Sequence, residues 1–560
     1  MSTLIILVAL AIYLVFYFVY GKKLQLNLIK SHEAADAPSK RLSDGVDYIP
    51  TSKFVLFGHH FASIAGAGPI VGPALAVAWG WLPGLLWIWF GNIFIGAIHD
   101  YLALTASVRY DGRSVQFVAQ DLIGKKAGKS FGWFILFLCI LIVAAFGDIV
   151  AGQFAGDGAV ASTFFLFCAA AIVLGILLYR TKLPFSVSTI IGLVLLVAAF
   201  MIGRNVGIPA SKDTWFLVIL VYIFIAAALP VNILLQPRDY LNSFLLYFGL
   251  LAGGVAAVIA VKNFDSVPLF TEFSAKVIGG KPSPFWPTVP LVIACGALSG
   301  FHALVASGTS SKQLREEKDS LFVGYGAMLT EGFLSTIVVI SIAAFGIQAL
   351  GAGNVLTTGA LPRFTSSYGA MVASAMPVFT ADFMKLFASI WVSSFALTTL
   401  DTTNRLGRYI LGELALPLKE KNTGAYNLFQ NKWFGSMVVA VLGIGLAWTG
   451  NYTVLWPAFS GANQLIASVV MLTVAMWVHK QLSAKYTNIV LIPAILLWVT
   501  VTAGLIWYEL VIIPGHFATG ATVKSMVTGT TVGLITLIML IMNITMIVSF
   551  FRNFKEKTGA

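Results

Sequence analysis

The chain reads as an all-α polytopic membrane protein. Three observations predict this: 58% of its 560 residues are hydrophobic, only 10% are charged, and the mean hydropathy is +0.88. A soluble domain carries about a quarter of its residues as charges, so this chain cannot cover itself with a solvated surface. Apolar runs of about 17 to 30 residues recur along the sequence, each long enough to cross a bilayer as a helix.

Residues 2–20 form the first span. No basic residue precedes them, no small-residue cleavage site follows, and Gly21-Lys22-Lys23 close them, so an uncleaved anchor with its N-terminus outside is expected. Uninterrupted apolar length predicts further spans near 54–80, 82–108, 131–152, 159–179, 184–203, 215–235, 240–261, 288–311, 320–350, 379–401, 433–450, 453–478, 488–510 and 525–550, about fifteen in all. Placing the loop after the first span in the cytoplasm puts 27 of the 35 Lys and Arg residues, Lys557 among them, in cytoplasmic loops or the C-terminal tail. The topology is therefore N-out and C-in, and the net charge of +12 reflects membrane orientation instead of a nucleic-acid partner. Cys139, Cys168 and Cys295 lie singly in apolar runs, as packing residues do.

Two stretches between spans, residues 262–287 and 351–378, are rich in Gly, Pro and aromatics and could cap or gate the outer side. The run Gly124 to Ser130 superficially resembles a phosphate-cradling loop. It is one residue too short and follows no strand, so ATP-driven pumping is not expected and no catalytic residues are assigned.

The span 54–80 organises the rest. Gly66, Gly68, Pro69, Gly72 and Pro73 fall within eight residues, and such a run survives at membrane depth only as a broken helix shielded by protein. A half-helix N-terminus at the break would offer unpaired N–H groups to a carboxylate. Gly58 to Gly66 and Gly300 to Gly308 both read G-x-H-x-x-x-x-x-G, and the two spans run in opposite directions. Extending that echo pairs the third span with the tenth, the fourth with the eleventh and the fifth with the twelfth. The architecture resembles the LeuT-type transporter fold: a 5+5 inverted repeat with discontinuous helices, plus accessory helices. The corresponding divisions are 1–53, a first repeat over 54–261, an external loop at 262–287, a second repeat over 288–481, and two accessory spans in 482–560.

Ionisable and polar groups at membrane depth are the candidate site residues. His59 and His60 precede the break and point about 100° apart on a helix, so one of them faces a given cavity. Together with Ser63, Gly66, Gly68 and Pro69 they are expected to line a substrate site, joined by His302, Ser307, Gly308 and Thr309 of the ninth span. Ser394, Thr398, Thr399 and Asp401 set hydroxyls and a carboxylate along one helix side, which suits a small hard cation or a protonatable Asp. The alternative is a local pair between Asp401 and Arg405. Asp148, Glu331 and Asp100 are candidates for a proton relay, and Arg238-Asp239 and Arg408 read as interfacial anchors. No cofactor or metal is expected, since no H-E-x-x-H or comparable spacing occurs; a centre built from His59, His60, His99, Asp100 and His302 is the alternative. The G-x-x-x-G pair Gly249 and Gly253 reads as packing within the chain.

Three blocks carry a more specific likeness: GHHFASIAGAGPIVGPALA, the FHALVASGTSSKQL run from Phe301, and ALTTLDTTNRLGRYILGE from Ala396. They resemble the carbon starvation A (CstA) family over about Asp47 to Gln481. The resemblance implies a multi-pass inner-membrane uptake system tied to nutrient limitation, for peptides or, in some members, pyruvate with protons. It also implies that the eleventh span supplies cation-site hydroxyls, as the corresponding helix does in LeuT-like folds. The expected function is secondary active import of short peptides or pyruvate-like carboxylates, coupled to protons or sodium. A non-transporting sensor would instead bind without accumulation, and a passive channel would pass solute only downhill.

Overall fold

The computed structural model describes residues 2–31, 36–44, 48–230, 234–450 and 452–555. Lys557 and residues 231–233, within the expected span 215–235, lie outside the described residues. The architecture is mostly helical. Among the described residues twelve helices are long and apolar enough to cross a membrane, or thirteen when the bent pair Lys53–Ile64 and Gly68–Trp79 counts as one span. The expected spans beyond that number correspond to Lys212–Ala228, with 17 residues, and to the short pair Phe285–Val292 and Gly300–Gly308.

The break in the second span falls where its sequence requires. Lys53–Ile64 ends at Ala65, and a second helix restarts at Gly68 with Pro69 in its first turn, where a missing N–H costs nothing. The two halves are bent by 49°. Their glycines answer to close packing: a Cβ on Gly68 would stand 2.3 Å from Sγ of Cys295, and one on Gly72 would stand 2.5 Å from the Val292 carbonyl oxygen. The second span is thus wedged against the ninth, which is itself broken.

The ninth span breaks between Val292 and Gly300, not after Gly308. This corrects the G-x-H echo. His60 lies in the last turn before one break and His302 in the first turn after the other, so the motif matches half-helices that occupy opposite sequence positions in their spans. Helix Tyr452–Trp477, buried from Val454 onward, re-satisfies the freed backbone. Trp456 Nε1 donates to the Val292 carbonyl at 2.9 Å, Gln464 Nε2 to that of Pro290 at 2.8 Å, and Ser460 to that of Leu291. At the other side of the break, Asn463 Oδ1 accepts the Phe301 N–H at 2.9 Å. Unpaired backbone groups at membrane depth cost several kcal/mol each, and these four side chains remove that cost.

The two stretches between spans are structured. Ser274–Lys276 pairs antiparallel with Pro282–Pro284, a small departure from an all-α fold, and Trp79 Nε1 donates to Ser283 O at 2.8 Å from beneath the hairpin. Gly80 (φ +105°) lets the chain pass close under Leu269. Residues 351–378 contain the helix Ala360–Ala375, whose buried Arg363 donates to the Ala74 carbonyl at 2.6 Å and so caps the end of the half-helix Gly68–Ala76. This segment is packed structure, not a loose loop. Gly249 and Gly253 meet the rings of Trp391 and Tyr368 within the chain, as expected.

Candidate functional site

Where the two broken spans meet, they enclose a cavity of about 10 Å³ lined by Gly66, Gly68, Cys295, Phe301, Thr399 and Asn463 among others. That is room for about one water. Three of the expected residues, Gly66, Gly68 and Thr399, line it. A Cβ on Gly66 would meet the Thr399 hydroxyl at 2.5 Å, which brings the eleventh span against the break.

On one side of the break lies a buried acid–imidazole chain. His99 Nδ1 meets Asp100 Oδ1 at 2.7 Å, Asp100 Oδ2 meets His302 Nδ1 at 2.8 Å, and His302 Nε2 lies 3.4 Å from Glu331 Oε2, all with side chains 0% exposed. These groups come from helices Trp81–Arg109, Gly300–Gly308 and Glu317–Leu350. The bond to Asp100 fixes which imidazole nitrogen of His302 turns toward Glu331. Neither carboxylate oxygen of Glu331 has a hydrogen-bond partner within 3.5 Å in good geometry, so this is a buried acid with spare capacity. Cys295 Sγ, a His302 nitrogen and a Glu331 oxygen also lie within 4.8 Å of one another, a donor set suited to a soft divalent metal. The imagined five-residue centre is not assembled: His60 bonds Ser310 Oγ at 2.7 Å instead.

On the other side lies a second buried cluster. Arg238, with its side chain 1% exposed, donates through Nη1 to Asp401 and to the Tyr222 hydroxyl, and through Nη2 to Asp239 Oδ1 at 2.9 Å. Thr398 donates to the same Asp239 oxygen at 3.2 Å. Two expectations are corrected here. Arg238 is no interfacial anchor, and Asp401 pairs with it in place of Arg405, which bonds the Leu229 carbonyl at 2.6 Å. The helix Ala381–Leu414 runs on well beyond the expected end at 401, so Asp401 sits about 20 Å from its C-terminus. Arg408 is likewise buried, on the Ala227 carbonyl at 3.0 Å.

His59 and His60 stand between these clusters. His60 is within electrostatic reach of Asp100 and His302, and His59 of Asp239, as their angular separation requires. The remaining expected residues are not brought to the cavity. Ser63 bonds back to the His59 carbonyl at 2.8 Å, and Pro69 O accepts from Ser335 at 2.8 Å. Ser307 bonds back to Ala303 at 2.7 Å, while Gly308 and Thr309 close the half-helix at its C-terminal end. A helix C-terminus presents carbonyls, whereas the restart at Gly68 presents N–H groups. Ser394 is buried on helix Ala381–Leu414 with its hydroxyl unpaired. Asp148 lies apart, paired with the 41% exposed Lys212 at 2.7 Å and accepting the Tyr452 N–H at 2.9 Å.

Sequence reading missed Arg238 as a core residue, Cys295 as a cavity wall, and Asn463-Gln464. The last pair did carry a signal, two adjacent amides in the middle of an apolar span.

Comparison with known proteins bears on what such an assembly does. The family model described as "Carbon starvation protein CstA" matches residues 1–355 and 347–504. The chain is 32% identical to the "Peptide transporter CstA" of Bacillus subtilis over 99% of this chain and 97% of that one. It is 30% identical to the "Pyruvate/proton symporter BtsT" of Escherichia coli over 90% of this chain and 81% of that one. The similarity therefore extends past Gln481 into the last two spans. Among solved structures, MhsT in complex with L-phenylalanine aligns over 90% of this chain and 99% of that chain, at 12% identity and a TM-score of 0.44.

Proposed function

The chain belongs to the carbon starvation protein CstA family, and from that premise we propose that it imports short peptides or pyruvate-like carboxylates by proton-coupled secondary transport. Its relatives are named as a peptide transporter and a pyruvate/proton symporter. The observation that carries the coupling is the chain His99–Asp100–His302–Glu331, buried beside two broken helices and ending on a carboxylate with no hydrogen-bond partner.

A proton arriving on Glu331 neutralises a charge that is otherwise costly at that depth. His302, an imidazole with one nitrogen toward Asp100 and the other toward Glu331, passes it to or from Asp100 and His99. The substrate carboxylate would sit at the breaks, near Gly66 and Gly68, where the second half-helix begins. Loading would require the small cavity to widen, and unloading would follow the rocking of one helix group against the other.

The architecture behind this reading is the 5+5 inverted repeat, with the broken pair 53–79 opening one repeat and the broken pair 285–308 opening the other. Fifteen membrane passes follow when Lys212–Ala228 and the second broken pair are counted as spans. The orientation is N-terminus out and C-terminus in, in the cytoplasmic membrane of a cell short of nutrients.

Uptake of radiolabelled pyruvate and of a labelled tripeptide into proteoliposomes tests the reading. An inward proton gradient should drive accumulation of one of them above equilibrium. Binding without accumulation would favour a sensor, and flux that never exceeds equilibrium would favour a channel.

A further inference from the structure

Beside the second break a sulfur, an imidazole nitrogen and a carboxylate oxygen converge from three separate segments. Cys295 lies between the helices Phe285–Val292 and Gly300–Gly308, His302 in the second of them, and Glu331 in helix Ala327–Leu350. Their donor atoms lie within 4.8 Å of one another, and all three residues are buried. His302 Nε2 and both oxygens of Glu331 make no hydrogen bond, and Cys295 Sγ is met by Asn463 Nδ2 at 3.6 Å.

Spacing and chemistry both fit a metal. His302 Nε2 stands 3.4 Å from Glu331 Oε2, and two ligands of a tetrahedral zinc with bonds of about 2.0–2.3 Å lie about 3.5 Å apart. The other nitrogen of His302 is held by Asp100 Oδ2 at 2.8 Å, and Asp100 Oδ1 by His99 Nδ1 at 2.7 Å. A carboxylate on the far nitrogen of a ligating histidine fixes its tautomer and raises its basicity. The cavity that Cys295 also lines has room for about one water, the fourth ligand that three protein donors leave open. Once the Cys295 proton is lost to the buffer, thiolate and carboxylate balance a divalent ion, so the filled site adds no net charge at membrane depth. Sulfur and imidazole select zinc over magnesium, calcium and manganese, which favour oxygen.

We propose that Cys295, His302 and Glu331 form an inhibitory zinc site, reached through the adjoining cavity when that widens. The metal-free chain is the active form. Zinc ties the segment 293–299 and the half-helix Gly300–Gly308 to helix Ala327–Leu350, and so arrests the rocking of one helix group against the other. The binding stands on the geometry alone, whereas the arrest rests on the transporter reading above.

The test uses the full chain in nanodiscs, purified with a chelator, desalted, and incubated with zinc or cobalt. The wild type should retain one zinc per chain by elemental analysis, and cobalt should give a sulfur-to-metal charge-transfer band. Asp100→Asn, a change in a positioning residue, should weaken zinc binding about 10- to 100-fold. Loss of a direct ligand in Glu331→Gln should weaken it more, and Cys295→Ser should lose the charge-transfer band. His516→Ala, outside the cluster, should alter neither. No charge-transfer band in folded wild type would overturn the site. So would zinc affinity unchanged in Glu331→Gln, which also decides the matter if Cys295→Ser does not fold. In proteoliposomes, zinc should stop uptake by the wild type, and Cys295→Ser, measured against its own zinc-free rate, should need about tenfold more. Uptake that continues with zinc bound, or that is lost on chelation, would overturn the arrest. A charge-transfer band in a chain that transports neither substrate under any gradient would end the transport reading and keep the site. Proton-driven uptake in a chain with no such band would end the site alone.

Discussion

Two acidic clusters flank the same break, and they differ in the cation each acid is given. Asp100 faces imidazoles and leads through His302 to the unbonded Glu331, whereas Asp401 and Asp239 share one guanidinium. An imidazole can surrender its proton near neutral pH and a guanidinium cannot. The proposed proton path therefore runs through the first cluster, while the second holds its charge fixed. Burial alone does not separate them, since every carboxylate involved is nearly or wholly inaccessible; the partner does.

The largest effect that would sharpen this contrast is expected from Glu331→Gln. It should abolish uphill uptake, a drop of about 100-fold or more at the scale of a lost acid–base group, while leaving exchange of labelled for unlabelled substrate across the membrane. Loss of both exchange and uptake from folded protein would make Glu331 a substrate ligand instead. Next comes Asp401→Asn, which takes from the buried Arg238 one of its two carboxylates and leaves Asp239; losing that charge-assisted bond should cost about 1.5–3 kcal/mol of stability, read as a lower melting temperature. Glu331→Gln, which removes an unbonded acid, should melt at or above the wild type. A reversed order would break the comparison.

Gly68→Ala should cost about 1–3 kcal/mol by overpacking, because its Cβ would collide with both Sγ and Cβ of Cys295. Cys295→Gly in the same chain should recover most of the loss. Smallest is Asp148→Asn: the partner Lys212 is 41% exposed, so screening limits the ion pair to less than about 1 kcal/mol, and proton-driven uptake should persist. Metal analysis sharpens the first cluster from another side. A stoichiometric metal lost on Cys295→Ser would turn Cys295, His302 and Glu331 from a proton path into a coordination site.

What the sequence discloses follows from the range of each interaction. The break at residues 65–67 is legible because Gly and Pro act locally on φ and on hydrogen bonding. The break at 293–299 has the same kind of local cue, since Pro287, Pro290, Gly296 and Gly300 flank or enter it, but the repeated G-x-H motif directs attention to Gly300–Gly308 instead. Glu331 and Asp100 are legible as charges stranded in apolar runs. Their meeting through His302 depends on three helices crossing and has no one-dimensional signature. Arg238 illustrates the converse: a charge close to the start of an apolar run looks interfacial, and only the packed neighbours, Asp401 from 163 positions away among them, show it to be core. The hairpin at 274–284, with three-residue strands, is too short for a period-two pattern to register.

The most direct test of the central claim is to follow internal pH with an entrapped dye while substrate is added to proteoliposomes at zero initial proton gradient. Wild-type protein should acidify the lumen in step with substrate entry, and Glu331→Gln should admit or exchange substrate with no acidification. Substrate-driven acidification that persists in Glu331→Gln would contradict the assignment of proton coupling to the His302–Glu331 cluster.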